Sequence, residues 1–263
     1  MTFDDVNRAK LLVFLVGFAL LFAVETVFTS RQLHSKRGKR FLFHSFLAVV
    51  NTAMLRTVAL TPLYLLILYC EERGIGISRI FGLTGIWEIA ATVVVLDFFD
   101  YVWHRLNHTV RLLWRFHAMH HSDNDVDVTT SLRFHPGELL MSAVMKAIWI
   151  LIWGPSLWGF AVFEIGISLA SQFHHSNIDL PDLIERVLRK IIVTPRFHAT
   201  HHTVNKATSD NNFSTIFIWW DKLCGSYVCP DGVPLDNLGI PEVRDKFLSP
   251  QAQLTLPLRL YHN

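Results

Sequence analysis

The placement of histidines limits this chain more than any other feature. Eleven of its fourteen histidines lie between residues 104 and 202, and eight of those fall into three boxes, HRLNH at 104–108, HAMHH at 117–121 and HATHH at 198–202. His135, His174 and His175 complete the set. Neutral imidazole is the commonest transition-metal side-chain ligand. No single ion takes so many ligands, so the pattern predicts a two-metal site, and a fold that brings residue 104 to residue 202.

On a helix, residues i and i+4 lie ~40° apart around the axis, and i and i+3 lie ~60° apart on the other side. His104 and His108 therefore share a face. His117, His120 and His121 fall within one wedge, as do His198, His201 and His202, so each box is expected to aim at a common point. His135 opens the His-Pro dipeptide before an apolar stretch and is expected to be a further ligand. His174 and His175 are adjacent and diverge by ~100° on a helix, so one of them faces the metals, and His175 is the expected ligand. Ten ligands result: His104, His108, His117, His120, His121, His135, His175, His198, His201 and His202. Five nitrogens per octahedral ion leave one open position on each, which is the mark of a catalytic metal. An all-imidazole shell suits iron, zinc, copper or nickel and disfavours magnesium and calcium.

Carboxylates near the boxes are expected to hold the ligands in place, because a ligating histidine usually donates its other N–H to a carboxylate or carbonyl. Asp100 lies one turn before His104, with Asp97 a turn above it. Glu138 lies three residues after His135. Asp210 and Asn212 follow the last box.

Half of the 263 residues are hydrophobic, only 17% are charged, and the mean hydropathy is +0.32. A soluble domain usually carries about a quarter charged residues, so the composition points to a membrane protein. The formal charge of +2, without basic residues clustered among stacking aromatics, argues against a nucleic-acid partner. Cys70, Cys224 and Cys229 form neither a C-x-x-C pair nor an even set, so neither a disulfide scaffold nor a thiolate site is expected.

The first apolar run, 11–28, lacks an A-x-A cleavage site and is long enough to span the ~30 Å hydrocarbon core. Five cations follow in 31–40 and place that loop on the cytoplasmic side. Region 41–69 holds Asn51, Arg56 and Pro62, so its first half is expected at the interface and its second half across. Arg56 is expected to snorkel to the headgroups. A span at 83–102 returns the chain before His104. Short stretches at 139–153 and 157–171, separated by the turn signal Gly154-Pro155, form a hairpin. This count delivers every box to the cytoplasmic face. The expected fold is all-α: an integral membrane helical bundle of about four transmembrane helices, with a cytoplasmic helical cap carrying a histidine-rich dimetal site. Three regions are expected: N-terminal transmembrane helices at 1–94, a catalytic region at 95–229, and an irregular tail at 230–263.

HRLNH, HAMHH, RFHP, HHSN and TPRFHATHH…NNF…WWDKLCGSY resemble the fatty acid hydroxylase superfamily, also called the sterol desaturase family, over roughly 95–228. The resemblance implies an integral-membrane, non-haem di-iron oxygenase. Such an enzyme uses dioxygen and two electrons from NAD(P)H through a separate cytochrome b5, ferredoxin or reductase-type donor. It hydroxylates or desaturates a C–H bond of a lipid such as a sterol, fatty acyl chain or sphingoid base. The family often has Asn-Tyr-Gly where this chain has Asn212-Phe213-Ser214, a change beyond the ligands. The competing readings are a non-catalytic zinc-bound membrane scaffold and a bis-histidine haem electron carrier. Haem needs one or two histidines, and clustered triplets argue against it.

Overall fold

The computed structural model describes residues 3–241, 243 and 249–259. It is all-α, with no strand among the described residues. The long helices are α1 (Phe3–Val27), α2 (Arg37–Leu55) and α3 (Thr61–Arg73), followed after the single turn α4 (Ile77–Ile80) by α5 (Gly85–Thr109). The chain continues through α6 (Arg111–His121), α7 (Pro136–Trp153) and α8 (Leu157–His175). Short helices then build the cap: α9 (Asp182–Leu188), α10 (Pro195–His201), α11 (Lys206–Ser209), α12 (Trp219–Leu223), α13 (Pro250–Leu254) and α14 (Leu256–Arg259).

Among the described residues, three stretches are long and apolar enough to cross a membrane: Asn7–Val27, Arg37–Ile80 and Pro136–Trp153. The sequence reading placed further passes at α5 and α8, but neither is among these three. α5 carries the charges Glu88, Asp97 and Asp100, and α8 carries Glu164 and ends in Gln172, His174 and His175. They pack against each other at the centre of the bundle. The outer helices turn Leu12, Leu20, Leu42 and Val144 outward, where they remain exposed.

α2 and α3 form one rod interrupted by a π turn at Arg56–Leu60. Pro62 in the first turn of α3 explains it. A proline has no N–H for the carbonyl four residues back and its ring crowds that carbonyl, so the preceding turn widens. α1 lies along α8, with Gly17 at the contact. A Cβ there would stand 2.6 Å from Leu169 Cδ2 and 2.9 Å from Gln172 Oε1. Phe14, Phe18 and Phe22, spaced at i, i+4, stack along α1 with centroids 6.1–6.2 Å apart.

Buried charges tie this bundle to the cap. Glu25 near the end of α1 accepts from the backbone N–H groups of Val128 (3.0 Å) and Asn177 (2.9 Å) and pairs with Arg37. Arg40 of α2 pairs with Asp123 and, at 3.2 Å, with Asp127. Burial alone would push the Asp123 carboxyl up, but Arg40 and Arg133 hold it below the usual range.

The tail is not wholly irregular. Ser249 accepts from the Ala252 N–H and Pro250 occupies the first helical turn, so α13 starts as a capped helix. Leu256 is fully buried, and the Pro257 carbonyl accepts from Arg115 Nε at 2.6 Å. Residues 242, 244–248 and 260–263 of the expected tail lie outside the described residues.

Candidate metal centre

Nine histidines converge as two groups. His104, His108, His117, His121 and His201 form one, and His120, His175, His198 and His202 form the other, each with ligand atoms within 4.8 Å of one another. The two abut, with His121 and His202 stacked at 4.4 Å.

This arrangement corrects the expectation that each box aims at a single point. HAMHH sends His117 and His121 to the first group and His120 to the second. HATHH sends His201 to the first and His198 with His202 to the second. Helix geometry gives the reason: the i, i+4 pair stays on one side of the wedge, and the residue at i+3 falls on the other. A helix pointed between two targets serves both, as α6 and α10 do.

Hydrogen bonds to Nδ1 fix the tautomers. His104 Nδ1 donates to the Phe213 carbonyl at 2.8 Å, His120 Nδ1 to that of Arg133 at 3.3 Å, and His201 Nδ1 to that of Asn211 at 2.6 Å. His175 Nδ1 donates to the Ser171 carbonyl at 2.7 Å and His117 Nδ1 to Glu138 Oε1 at 2.8 Å. Each of these rings then carries its lone pair on Nε2, directed inward. Nε2 atoms meet at 3.1 Å for His108–His121 and His104–His201. They meet at 3.0 Å for His120–His175 and His175–His198, and at 3.1 Å for His198–His202. Adjacent ligands on an octahedral ion with ~2.1 Å bonds stand ~3.0 Å apart, against ~3.4 Å on a tetrahedral one. The residues present therefore fit two octahedrally disposed cations. His117 Nε2 is buried without a protein partner, as expected of a ligand atom.

Burial, then the mutual repulsion of neighbouring imidazoles, lowers the pKa of His120, His121, His198 and His202 well below the ordinary value. His201 is lowered to about 3, mainly by burial. The site is thus held neutral, the form that binds metal.

His135 is not brought to either group. Its Nδ1 accepts from the Gly137 N–H at 2.9 Å, capping α7, and its Nε2 donates to the Leu254 carbonyl at 3.1 Å. Both ring nitrogens are committed, so the expectation of a tenth ligand here is corrected. His174, set aside at the sequence level, lies beside the second group. Its ring centroid is 4.0 Å from that of His198, and its Nδ1 donates to the Thr215 carbonyl at 3.2 Å.

The expected supporting residues act mostly through one loop. Glu138 holds His117, not the nearer His135. Asp100 touches no histidine: it accepts from Thr215 Oγ1 at 2.7 Å, and the Thr215 carbonyl meets His174. Asp97 accepts from the N–H groups of Ile216 and Phe217, both at 3.0 Å, and from Trp220 Nε1 at 2.7 Å. Asn212 adopts the left-handed conformation (φ 60°), which asparagine tolerates, and its side chain bonds the Val228 backbone. Its two neighbours, Asn211 and Phe213, are the residues whose carbonyls hold His201 and His104. Asp210 is exposed and 3.6 Å from His108 Nδ1. Asp221, which the sequence reading missed, accepts from the N–H groups of Phe213 (2.8 Å) and Ser214 (2.9 Å).

A cavity of about 250 Å³ lies beside the metal ligands, with His104, His117, His120, His175 and His198 in its wall. A second, mainly apolar cleft of about 110 Å³ shares Leu139, Ser142 and Lys146 with it.

The fatty acid hydroxylase family model matches residues 89–226. Similar curated proteins include an ornithine lipid hydroxylase of Rhizobium tropici, 30% identical over 64% of this chain and 50% of its own length. Human alkylglycerol monooxygenase is 29% identical over 54% of this chain and 31% of its own length. A cholesterol 25-hydroxylase-like protein of Danio rerio is 28% identical over 54% and 55%. The match thus spans about half of these relatives or less. No solved structure matches the chain. With both histidine groups, the carboxylates behind them and the connecting loop inside the matched region, this chain belongs to the fatty acid hydroxylase family.

Proposed function

We propose that this protein is a membrane-bound di-iron oxygenase that hydroxylates, or desaturates, a C–H bond of a lipid. One observation carries the reading: both groups of inward-facing imidazoles border one cavity, and an apolar cleft adjoins that cavity. The family membership and the lipid hydroxylases and monooxygenases among the relatives support it.

Iron bound in the two groups would supply dioxygen activation, driven by two electrons from a separate cytochrome b5, ferredoxin or reductase-type donor that draws on NAD(P)H. His104, His108, His117, His121 and His201 would hold one ion, and His120, His175, His198 and His202 the other. The protein's own part is positional. Glu138 and the carbonyls of Arg133, Ser171, Asn211 and Phe213 lock the ring orientations. The enclosing helices keep the reacting carbon out of bulk water. Three apolar helices would anchor the chain in the bilayer, and the basic segment 31–40 would set the metal face toward the cytoplasm.

The test is purified protein in lipid nanodiscs, analysed for metal and supplied with reductant and ¹⁸O-labelled dioxygen. Two irons per chain and an ¹⁸O-labelled, or dehydrogenated, lipid product are expected. Two zinc ions with no oxygen consumption would favour the scaffold reading, and a Soret band would favour haem.

A further inference from the structure

Helix α9 is inverted relative to a helix on the surface of a soluble domain, which buries its apolar stripe. At ~100° per residue, Leu183, Ile184 and Val187 share one face and Glu185 lies opposite them. The charged face is the one turned inward: Glu185 is 1% exposed, accepts from Thr194 Oγ1 at 2.9 Å and pairs with Arg189 at 3.1 Å. The apolar face is turned outward. Ile191, Trp219 and Leu223 extend it, because the Ile218 N–H donates to the Ile191 carbonyl at 3.1 Å and sets the end of α9 against the start of α12. All six of these apolar side chains are 38–75% exposed. An outward apolar surface shared by neighbouring elements marks an interaction site.

The height of this surface identifies what covers it. Thr92 Oγ1 of α5 accepts from Trp153 Nε1 at 2.7 Å, and Glu88 accepts from the Ser156 N–H at 2.8 Å, so α5 runs beside the apolar stretch Pro136–Trp153 to its far end. Asp97 lies within that length, seven residues and about 10 Å before His104 along the α5 axis. Asp97 also holds Ile216, Phe217 and Trp220. The bridge between Ile192 and Phe217 is thereby fixed at the depth of an apolar span, not above it. The exposed cations Arg186, Lys190 and Lys222 flank the apolar side chains, while the carboxylate of Asp182 is engaged by Arg196 at 2.8 Å. Cations beside an apolar face suit the phosphates of a lipid surface, and tryptophan is enriched at the membrane–water boundary.

Resting on the bilayer anchoring given above and not on the oxygen chemistry, we propose that α9 and α12 form a membrane-docking face of the cap. Their apolar side chains enter the leaflet on the cap side without crossing it, and Arg186, Lys190 and Lys222 meet its headgroups. α10 follows α9 directly, so this docking holds the last histidine box against the leaflet surface.

The test uses the full chain in nanodiscs of phosphatidylcholine and phosphatidylglycerol, with Cys224→Ser and Cys229→Ser; Cys70 is buried and takes no label. A nitroxide is attached in turn to Ile184→Cys and Val187→Cys on α9, to Leu12→Cys on the outer face of α1, and to Lys206→Cys on α11. All four positions are exposed, so no label disturbs the core. α11 serves as the aqueous reference, because Asp210 at its end lies beside His108, near the opposite end of α5 from Glu88. Power saturation compares collision with oxygen, which concentrates in lipid, and with a water-soluble nickel chelate. The α9 labels are expected to favour oxygen, as the α1 label does, and the α11 label to favour nickel. Nickel access on α9 equal to that on α11 overturns the proposal. Shielding of both α9 labels from both reagents also overturns it, since that is the mark of a protein partner or a second copy. Nickel access at the α1 label sinks the bilayer anchoring together with this proposal. Oxygen access on α1 with nickel access on α9 sinks this proposal alone.

Discussion

Two imidazole nitrogens that face each other at 3.0–3.1 Å, both with lone pairs exposed, repel unless a cation lies between them. Five Nε2–Nε2 contacts of this length occur among the described residues, each within one of the two groups, and in His104–His201 and His120–His175 hydrogen bonds at both Nδ1 atoms leave both lone pairs inward. Ligand deletions should therefore act on one ion at a time. His201→Ala is expected to lower the metal content from two ions per chain to one, read by elemental analysis. His135→Ala, whose ring nitrogens are committed to the α7 cap and to Leu254, is expected to retain two. Loss of an ion in the latter would place His135 among the ligands after all. Glu138→Gln replaces a buried carboxylate acceptor for His117 with an amide, and a change of this kind typically weakens metal affinity about 10–100-fold. Competition with a calibrated chelator measures it.

At the scale of elements, the loop 211–221 fastens the histidines to the bundle. Asp97 of α5 and Asp221 of α12 each accept from two consecutive backbone N–H groups of that loop. Asp221→Ala would leave the Phe213 and Ser214 N–H groups without an acceptor and remove one of the two bonds of Ser226 Oγ. It is expected to lower the unfolding free energy by about 2–4 kcal/mol, with loss of metal, as measured by denaturant titration. The three boxes and the apolar stretches were legible in the sequence because both are local patterns, read at helical spacing or by run length. The division of each triplet between two ions was not. It depends on where α6 and α10 point, which is set by packing. Nor was the role of Asp100, which shares a helical face with His104 but bonds Thr215, a residue more than a hundred positions away. His135 misled for a similar reason: at a helix start, an imidazole that reads as a ligand also serves as a cap.

For the whole molecule, the neutral histidines link stability to pH. In the unfolded chain they titrate near pH 6.5, whereas His201 holds its proton only below about 3 in the fold. Between those values the unfolded chain binds more protons, so stability falls as the pH drops through that window. Asp123, held below the usual carboxylate range, adds stability above the unfolded carboxylate pKa that is lost on further acidification. Metal-free protein is thus expected to lose thermal stability progressively below about pH 6.5, followed by circular dichroism. Metal-loaded protein is expected to resist until protons displace the ligands.

Two ions, if bound as proposed, would also act on the chain as a whole. One would join α5, α6 and α10, and the other α6, α8 and α10, closing circuits from residue 104 to residue 202. They would serve as removable cross-links of long reach. A cross-link that closes a longer loop removes more freedom from the unfolded chain. Bound metal would thus hold α10, which carries the last histidine box, to α5, α6 and α8 across a span of nearly a hundred residues.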